Sequence, residues 1–219
     1  MKSLFYKFRT ILLLVFLLPL ANLPTARAHN HYKGAGFGSD FAPFNFSDDA
    51  GHPIGIDHQV MDAIAKDQGF TVEKIDMPFN SSLQAVEQEQ VDFMMAAMSV
   101  TEERKEIYDF TDPYFESSTH FAVSAKNEAL KDLSDLKGHK IAVKTGAMGS
   151  MIATKLQADY GYEIIQYEDS TSMYQGVMGG AVSAVIDETP VMQYAISTGR
   201  VDLRLIGEPL EPAPLAAAV

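Results

Sequence analysis

The chain has 219 residues, of which 17 are Lys or Arg and 29 are Asp or Glu, giving a formal charge of −12. This acidity excludes non-specific binding to nucleic acid or anionic lipid, because both partners are themselves negatively charged. The sequence contains no cysteine, which excludes disulfides, thiol chemistry, thiolate metal sites and lipidation at a cysteine.

The first 28 residues have the pattern of a signal peptide. A basic start precedes an unbroken apolar run over residues 11–21, about half the roughly 20 residues that a membrane-spanning helix needs. The segment ends in Ala-Arg-Ala, the small-x-small pattern that signal peptidase cleaves. An uncleaved anchor is the alternative. Cleavage there leaves 191 residues with 13 basic and 29 acidic side chains, so we expect a periplasmic protein that is not lipidated.

Helix and strand patterns then alternate along the chain. Val60, Met61, Ile64 and Ala65 share one face of a predicted helix, which Gly69 ends. The other predictions in this part are a strand from residue 70, a helix over 82–89, and strands over 91–95 and 119–125.

The pattern starts again after a charged segment at residues 130–138, which indicates a second lobe. Repeated β-α units are typical of mainly parallel sheets that helices cover on both faces, so we expect an α/β fold. The Pro/Ala-rich end at residues 211–219 has no predicted element. The predictions in this part are strands over 140–144, 163–167, 182–186 and 203–206, and helices over 150–159, 171–178 and 189–197.

A first candidate site is the run Ser99-Val100-Thr101-Glu102-Glu103-Arg104. Ser99 and Glu102 fit a capping box, which predicts a helix that begins directly after the strand at 91–95. The free N–H groups of a helix N-terminus and the planar fork of Arg104 together favour a carboxylate ligand. The alternative is a plain capped helix with Arg104 on a solvated face.

A second candidate is a pair of aromatic residues in loop contexts. Phe41 lies in Asp-Phe-Ala-Pro-Phe, and Phe79 lies in Met-Pro-Phe-Asn. Aromatic residues in loops that follow strands can form the walls of a ligand pocket. Ordinary packing in the apolar core is the alternative for both.

A third candidate is the pair of carboxylates Asp187 and Glu188 at a predicted strand end. A helix is predicted to follow, with Thr189 as its N-cap and Pro190 at its first position. The alternative to a ligand-binding role is simple stabilisation of the helix N-terminus by negative charge.

Two longer blocks carry a resemblance to a known family. Residues 97–104 (Ala-Met-Ser-Val-Thr-Glu-Glu-Arg) and 108–115 (Tyr-Asp-Phe-Thr-Asp-Pro-Tyr-Phe) closely resemble the signature of the family 3 solute-binding proteins, the polar amino-acid receptors of ABC importers. Weaker matches occur in the same order as in the family, and the resemblance runs from about residue 36 to residue 219. They are residues 39–44, 55–57, 136–138, 143–146 and 188–191.

The resemblance implies a two-lobed, type II periplasmic-binding-protein-like fold with the ligand in the cleft between the lobes. It implies that Arg104, helped by the Ser99 hydroxyl, pairs with the α-carboxylate of an amino acid. Glu188 stands where the family more often has an Asp that receives the α-ammonium, and Asp187 is the second choice. The ligand-binding residues that it implies are Phe41, Phe79, Ala97, Ser99, Arg104, Lys144, Met148, Asp187 and Glu188.

One loop departs from the family pattern. Residues 146–149 read Gly-Ala-Met-Gly, where the family usually has Gly-Thr-Thr or Gly-Thr-Gly. The chain therefore lacks a threonine hydroxyl at this point, and the backbone N–H groups of the loop remain as donors.

The resemblance also predicts how the chain is divided and what it does. We expect a signal peptide at 1–28, lobe 1 at 29–120, lobe 2 at 121–213 and the start of a return crossover at 214–219, with the C-terminal part of lobe 1 truncated. The expected function is a monomeric receptor without a cofactor, which hands an amino acid to the membrane permease of an ABC importer and is not an enzyme. The alternative is a periplasmic cyclohexadienyl or arogenate dehydratase, since such enzymes resemble the same family.

The identity of the amino acid is predicted from the family register alone. Lys144 and Asp187 would lie near the ligand side chain and offer charges of both signs. This mixture favours a neutral polar side chain such as that of glutamine.

A separate prediction concerns the mature N-terminus, which would read His29-Asn30-His31. A free amine, two amide nitrogens and the imidazole of the third residue can form the square-planar set that Cu(II) and Ni(II) prefer. The alternative is a loose polar terminus with no metal.

Overall fold

The computed structural model describes residues 31–38 and 40–219. The predicted signal peptide and residues 29 and 30 lie outside the described residues. The first elements are β1 (His31–Ala35), β2 (Asp40–Phe41), β3 (Asn45–Ser47), β4 (Pro53–Ile54), α1 (Ile56–Gln68), β5 (Thr71–Ile75), α2 (Phe79–Glu87), β6 (Phe93–Ser99), α3 (Glu102–Lys105) and β7 (Phe115–Ser124). After a 3₁₀ turn at Leu133–Leu136 follow β8 (Lys140–Lys144), α4 (Met148–Tyr160), β9 (Glu163–Tyr167), α5 (Ser170–Met178), β10 (Ala184–Glu188), α6 (Thr189–Ser197) and β11 (Leu203–Ala218).

One large sheet runs through the described part of the chain, with its eight strands in the order β5-β1-β6-β11-β7-β10-β8-β9. Strands β5, β1 and β6 are parallel to one another, and so are β10, β8 and β9. Strand β11 is antiparallel to both β6 and β7, and β7 is antiparallel to β10. The predicted parallel organisation is therefore confirmed for the two outer groups of strands, which antiparallel strands join. The limits of the two lobes stay a prediction, since His31–Val219 packs as one unit.

Strand β11 differs most from the sequence prediction, which placed a strand at 203–206 and no element at 211–219. The strand continues to Ala218, with register shifts on both sides of Leu210. Its first part pairs with β7 and its last residues pair with β6. The alanines at its end are buried, so packing inside the sheet stabilises a strand that its alanines and prolines alone disfavour.

Helix α1 packs through an apolar face and ends at a glycine, as the sequence predicts. Met61 is buried in a cluster with Phe37 and Met95, as the apolar periodicity predicts, whereas Ile64 is 43% exposed. Gly69 ends the helix in the left-handed region at φ 74°, and its N–H donates to the Ala65 carbonyl at 2.9 Å. A side chain at this position would strain the backbone, which explains the glycine.

Two predicted helix caps are wrong. Ser99 is the last residue of β6 and caps no helix, because pairing with β11 keeps it extended. Thr101 is the N-cap of the short helix α3, and its Oγ1 accepts a hydrogen bond from the Arg104 backbone N–H at 3.2 Å. Helix α6 begins at Thr189, so Glu188 takes the N-cap position and Pro190 is the second helical residue.

Helices cover both faces of the second group of strands, as expected for an α/β fold. On one face, Ile152 of α4 packs with Phe121 and Ile186. On the other face, Met173 of α5 and Met192 of α6 form a second buried cluster. This packing holds the carboxyl ends of β8 and β10 in place. No helix in the described part of the chain is long and apolar enough to cross a membrane.

Candidate functional site

The candidate site lies where several strands end and several helices begin. Strands β6, β8 and β10 end at Ser99, Lys144 and Glu188, and helices α2 and α4 begin at Phe79 and Met148. A narrow cavity of about 10 Å³ lies among these ends. The nine residues predicted to bind a ligand all line it, namely Phe41, Phe79, Ala97, Ser99, Arg104, Lys144, Met148, Asp187 and Glu188. Their role in binding stays a prediction.

Arg104 is buried at this cavity, which excludes the alternative of a solvated face. One guanidinium nitrogen donates to the Ser99 carbonyl at 2.6 Å and the other donates to the Gly146 carbonyl at 3.0 Å. The guanidinium carbon also lies 5.7 Å from the centre of the Phe79 ring. Burial lowers the pKa of Arg104, and the nearby Glu188 carboxylate opposes this shift. The side chain therefore joins the end of β6 to the loop before α4.

Glu188 is the buried carboxylate at the end of β10. Its Oε1 accepts a hydrogen bond from the Ser99 hydroxyl at 2.9 Å, and its Oε2 accepts one from the Ser117 hydroxyl. Burial raises the pKa of Glu188, and these hydrogen bonds partly offset the shift. A positive charge placed beside this carboxylate would stabilise its ionised form.

Asp187 has its oxygens engaged by the protein itself. Its Oδ2 accepts hydrogen bonds from the Ser170 hydroxyl at 2.8 Å and the Tyr174 hydroxyl at 2.9 Å, while its Oδ1 accepts from the Glu188 backbone N–H at 2.9 Å. Asp187 thus accepts three hydrogen bonds from the protein and Glu188 accepts two, and the choice of Glu188 as the ligand's partner stays a prediction.

The two predicted aromatic residues surround the Lys144 ammonium. Its Nζ lies 3.7 Å from the centre of the Phe41 ring and 5.7 Å from that of Phe79, and it donates to the Ser170 hydroxyl at 3.2 Å. Phe41 also packs with Phe44 in the core, so the same side chain lines the cavity and contributes to core packing. The space between the two rings can thus hold a positive charge by cation–π attraction.

Asp57 is a supporting residue to which the sequence analysis gave no role. Its carboxylate accepts hydrogen bonds from the Ala97 backbone N–H at 3.0 Å, the Tyr114 hydroxyl at 2.7 Å and the Asn45 amide. Burial raises its pKa to about 6, although these hydrogen bonds act in the opposite direction. Ala97 adopts a positive φ of 48°, so Asp57 fixes an unusual backbone at the cavity wall.

The predicted metal site at the N-terminus lies largely outside the described residues. His31 is the first residue of β1, in register with Thr71 of β5, and its Nδ1 lies 2.8 Å from the Thr71 Oγ1. A square-planar metal complex would have to displace these interactions. Binding of Cu(II) or Ni(II) stays a prediction, and the metal would compete with the pairing of His31 and Thr71 at the end of the sheet.

Solved structures with the same fold identify the class of protein. An ancestral arginine-binding protein bound to arginine has a TM-score of 0.79 and 31% sequence identity, and the match covers 87% of this chain and 84% of that one. The same values hold for an ancestral arginine-binding protein bound to glutamine. The fold is that of the two-lobed, type II periplasmic amino-acid-binding proteins, as predicted.

The family follows from the sequence comparison. The family model of bacterial extracellular solute-binding proteins, family 3, matches residues 35–204, and the chain belongs to this family. The arginine-binding extracellular protein ArtP of Bacillus subtilis is 30% identical over 158 residues, 72% of this chain and 61% of that protein. A probable histidine-binding protein of Neisseria gonorrhoeae is 30% identical over 173 residues, 78% of this chain and 64% of that protein. The chain thus spans less than two thirds of the length of these curated relatives, which are both named for binding rather than for catalysis.

Proposed function

We propose that this protein is the amino-acid receptor of an ABC-type import system. The observation that carries the proposal is that Arg104 and Glu188, a buried cation and a buried anion, line the same small cavity. An amino acid presents one carboxylate and one ammonium on the same carbon, so it matches this pair of charges. The family and the arginine- and histidine-binding relatives support the same class of ligand.

In the proposed complex, the planar fork of Arg104 binds the α-carboxylate, because two parallel N–H donors match two carboxylate oxygens. Glu188 binds the α-ammonium, and Ser99 supplies a hydroxyl between the two charges. Phe41 and Phe79 pack on the ligand side chain. Ala97, Met148, Lys144 and Asp187 complete the wall of the cavity.

The location and the partners of the protein belong to the same proposal. A signal peptide at residues 1–28 would deliver a freely diffusing receptor to the periplasm, where it would meet the membrane permease as a monomer. Lobe 1 at residues 29–120 and lobe 2 at 121–213 would close on the amino acid, as in other hinged binding proteins. No cofactor is needed for this function, because reversible binding involves no chemical step.

Replacement of Arg104 by alanine tests the proposal. We expect Arg104→Ala to weaken amino-acid binding by roughly 2–5 kcal/mol, since the ligand carboxylate would lose its charged partner. Isothermal titration calorimetry with a panel of amino acids measures the effect on protein first shown to be folded by circular dichroism. Lys105→Ala is the matched control, because Lys105 is exposed and its only ion pair among the described residues is with Glu102. Binding by Arg104→Ala within threefold of the unchanged protein would refute the assignment.

One observation favours a dehydratase as the second candidate. Burial raises the pKa of Glu188, and a carboxyl group with a raised pKa can act as a general acid. Incubation of the purified protein with prephenate or arogenate separates the two functions. We expect no turnover, and product formation that Glu188→Gln abolishes would favour the enzyme.

A further inference from the structure

A second, larger cavity adjoins the one between Arg104 and Glu188. It has a volume of about 250 Å³ and shares Phe41, Phe79 and Lys144 with the smaller cavity. An amino acid whose charged α-carbon groups bind Arg104 and Glu188 can therefore extend its side chain past the two rings into the larger cavity. The residues around the larger cavity decide which side chain fits.

Most of the charged residues that line the larger cavity are acidic. Asp40, Asp76, Glu168 and Asp169 contribute four carboxylates, and Lys144 contributes one ammonium. No lysine or arginine of the described residues forms an ion pair with any of the four carboxylates. Partial desolvation and the neighbouring Asp169 and Asp187 carboxylates raise the pKa of Asp40, whereas Lys144 opposes the shift. The charges around this cavity are thus incompletely compensated.

Two of these carboxylates lie close to one point of the cavity wall. A methyl group added to Gly38 would lie 3.4 Å from the Asp76 Oδ1 and 4.0 Å from the Asp40 Oδ1. The two oxygens therefore approach the same space from different elements, and a single cation of the size of a guanidinium can contact both.

A buried acceptor in the same wall is an independent sign of a missing donor. Asn45 is 1% exposed and lines the larger cavity. Its Nδ2 donates to Asp57, but its Oδ1 has no hydrogen-bond partner among the described residues. A buried polar atom without a partner costs about 1–3 kcal/mol, and a ligand that carries N–H groups would remove this cost. Citrulline and glutamine also carry N–H donors, so this oxygen calls for a donor and the carboxylates distinguish a charged donor from a neutral one.

The space between the aromatic rings already holds a cation of the protein. The Lys144 ammonium lies 3.7 Å from the centre of the Phe41 ring. The rings thus stabilise positive charge at this place, and a ligand side chain that crosses between them has to displace the Lys144 ammonium.

We propose that the ligand is an amino acid with a cationic side chain, whose guanidinium or ammonium group lies among Asp40, Asp76 and the Asn45 amide oxygen. This inference rests on the proposed receptor function and replaces the expectation of a glutamine-like ligand. That expectation depended on Asp187 as a partner of the ligand side chain, and Asp187 is engaged by Ser170 and Tyr174.

Arginine and citrulline form a matched pair of ligands for the test, because they have the same length and differ by a charged guanidinium against a neutral urea. We expect calorimetry to show that arginine binds at least about tenfold more tightly than citrulline or glutamine. Equal or tighter binding of citrulline or glutamine would overturn the inference and leave the receptor function standing. If no amino acid binds, the receptor function fails and the inference fails with it.

Asp76→Asn tests the position of the cation. Asp76 is exposed, so the substitution leaves the packing of the fold unchanged. We expect it to weaken arginine binding about tenfold and to leave citrulline binding unchanged, since only the charged ligand gains from this carboxylate. Asp159→Asn makes the same charge change on an exposed position of α4 and should alter neither ligand. Equal effects of Asp76→Asn and Asp159→Asn on arginine would overturn the placement.

Discussion

At the scale of single residues, Glu188 couples the proposed binding to pH. Burial raises the pKa of its carboxyl group, and only the ionised form attracts an ammonium. We therefore expect amino-acid affinity to increase as the pH rises through this raised pKa and to become constant above it. The increase can reach tenfold per pH unit, because one proton is released for each ligand bound. Calorimetry across the pH range in which the ligand stays zwitterionic measures it.

Two variants separate the adjacent carboxylates in this measurement. Glu188→Gln should bind at least about tenfold more weakly at high pH and lose the pH dependence. Asp187→Asn should retain it, because Asp187 is engaged by Ser170 and Tyr174. The reverse result would show that Asp187 is the ammonium partner.

The family motif placed the nine candidate residues around one cavity, but the sequence did not reveal their hydrogen bonds. The contacts of Glu188 with Ser99 and Ser117 join residues 89 and 71 positions apart, and no local pattern encodes such pairs. Asp57 was matched to the family through residues 55–57 but received no role, because its function depends on a fold that brings it to Ala97.

At the scale of elements, the buried Asp57 joins helix α1 to strand β6 at the expense of stability near neutral pH. Its pKa is raised to about 6 in the folded protein, from about 3.9 in an unfolded chain. Between these values the unfolded state loses its proton first, so this group lowers the free energy of unfolding as the pH rises. The loss should total about 3 kcal/mol by pH 7.

Urea denaturation of the unchanged protein and of Asp57→Asn at several pH values measures this loss. The difference in free energy of unfolding between the two proteins should fall by about 2 kcal/mol from pH 4 to pH 7, since asparagine does not ionise. Asp67→Asn, at an exposed position of the same helix, should leave the pH-dependent loss in place. A difference between the unchanged protein and Asp57→Asn that does not vary with pH would contradict the argument.

Elements with strong periodicity or clear end signals were predictable from the sequence. Strands β8 and β9 and helix α6 have the predicted limits. Strand β11 was only partly predicted, because its prolines and alanines signal no strand and its pairing partners lie far away in the chain. Helix α3 was placed correctly, but its cap was assigned to Ser99 instead of Thr101. The local capping pattern cannot show that Ser99 pairs with β11 and so belongs to strand β6.

At the scale of the whole molecule, the end of β11 lies in the middle of the sheet between β6 and β7. Ala216 is completely buried there, so Ala216→Asp should lower the free energy of unfolding by about 3 kcal/mol or more through an unpaired buried charge. Val219→Asp is the control, because this residue is 51% exposed just beyond the strand and should cost less than about 1 kcal/mol. Urea midpoints of the two variants compare the effects, and equal midpoints would show that the strand end contributes little.

The position of β11 also determines the order in which the chain can fold. The pairing of Leu215 with Ser99 joins residues more than 100 positions apart, and the ladder between the two outer groups of strands closes only through such contacts. Loop closure over this distance precedes any gain from the pairing, so acquisition of the native sheet is slow. The two outer groups of strands can therefore join into one sheet only after β11 has been inserted between β6 and β7.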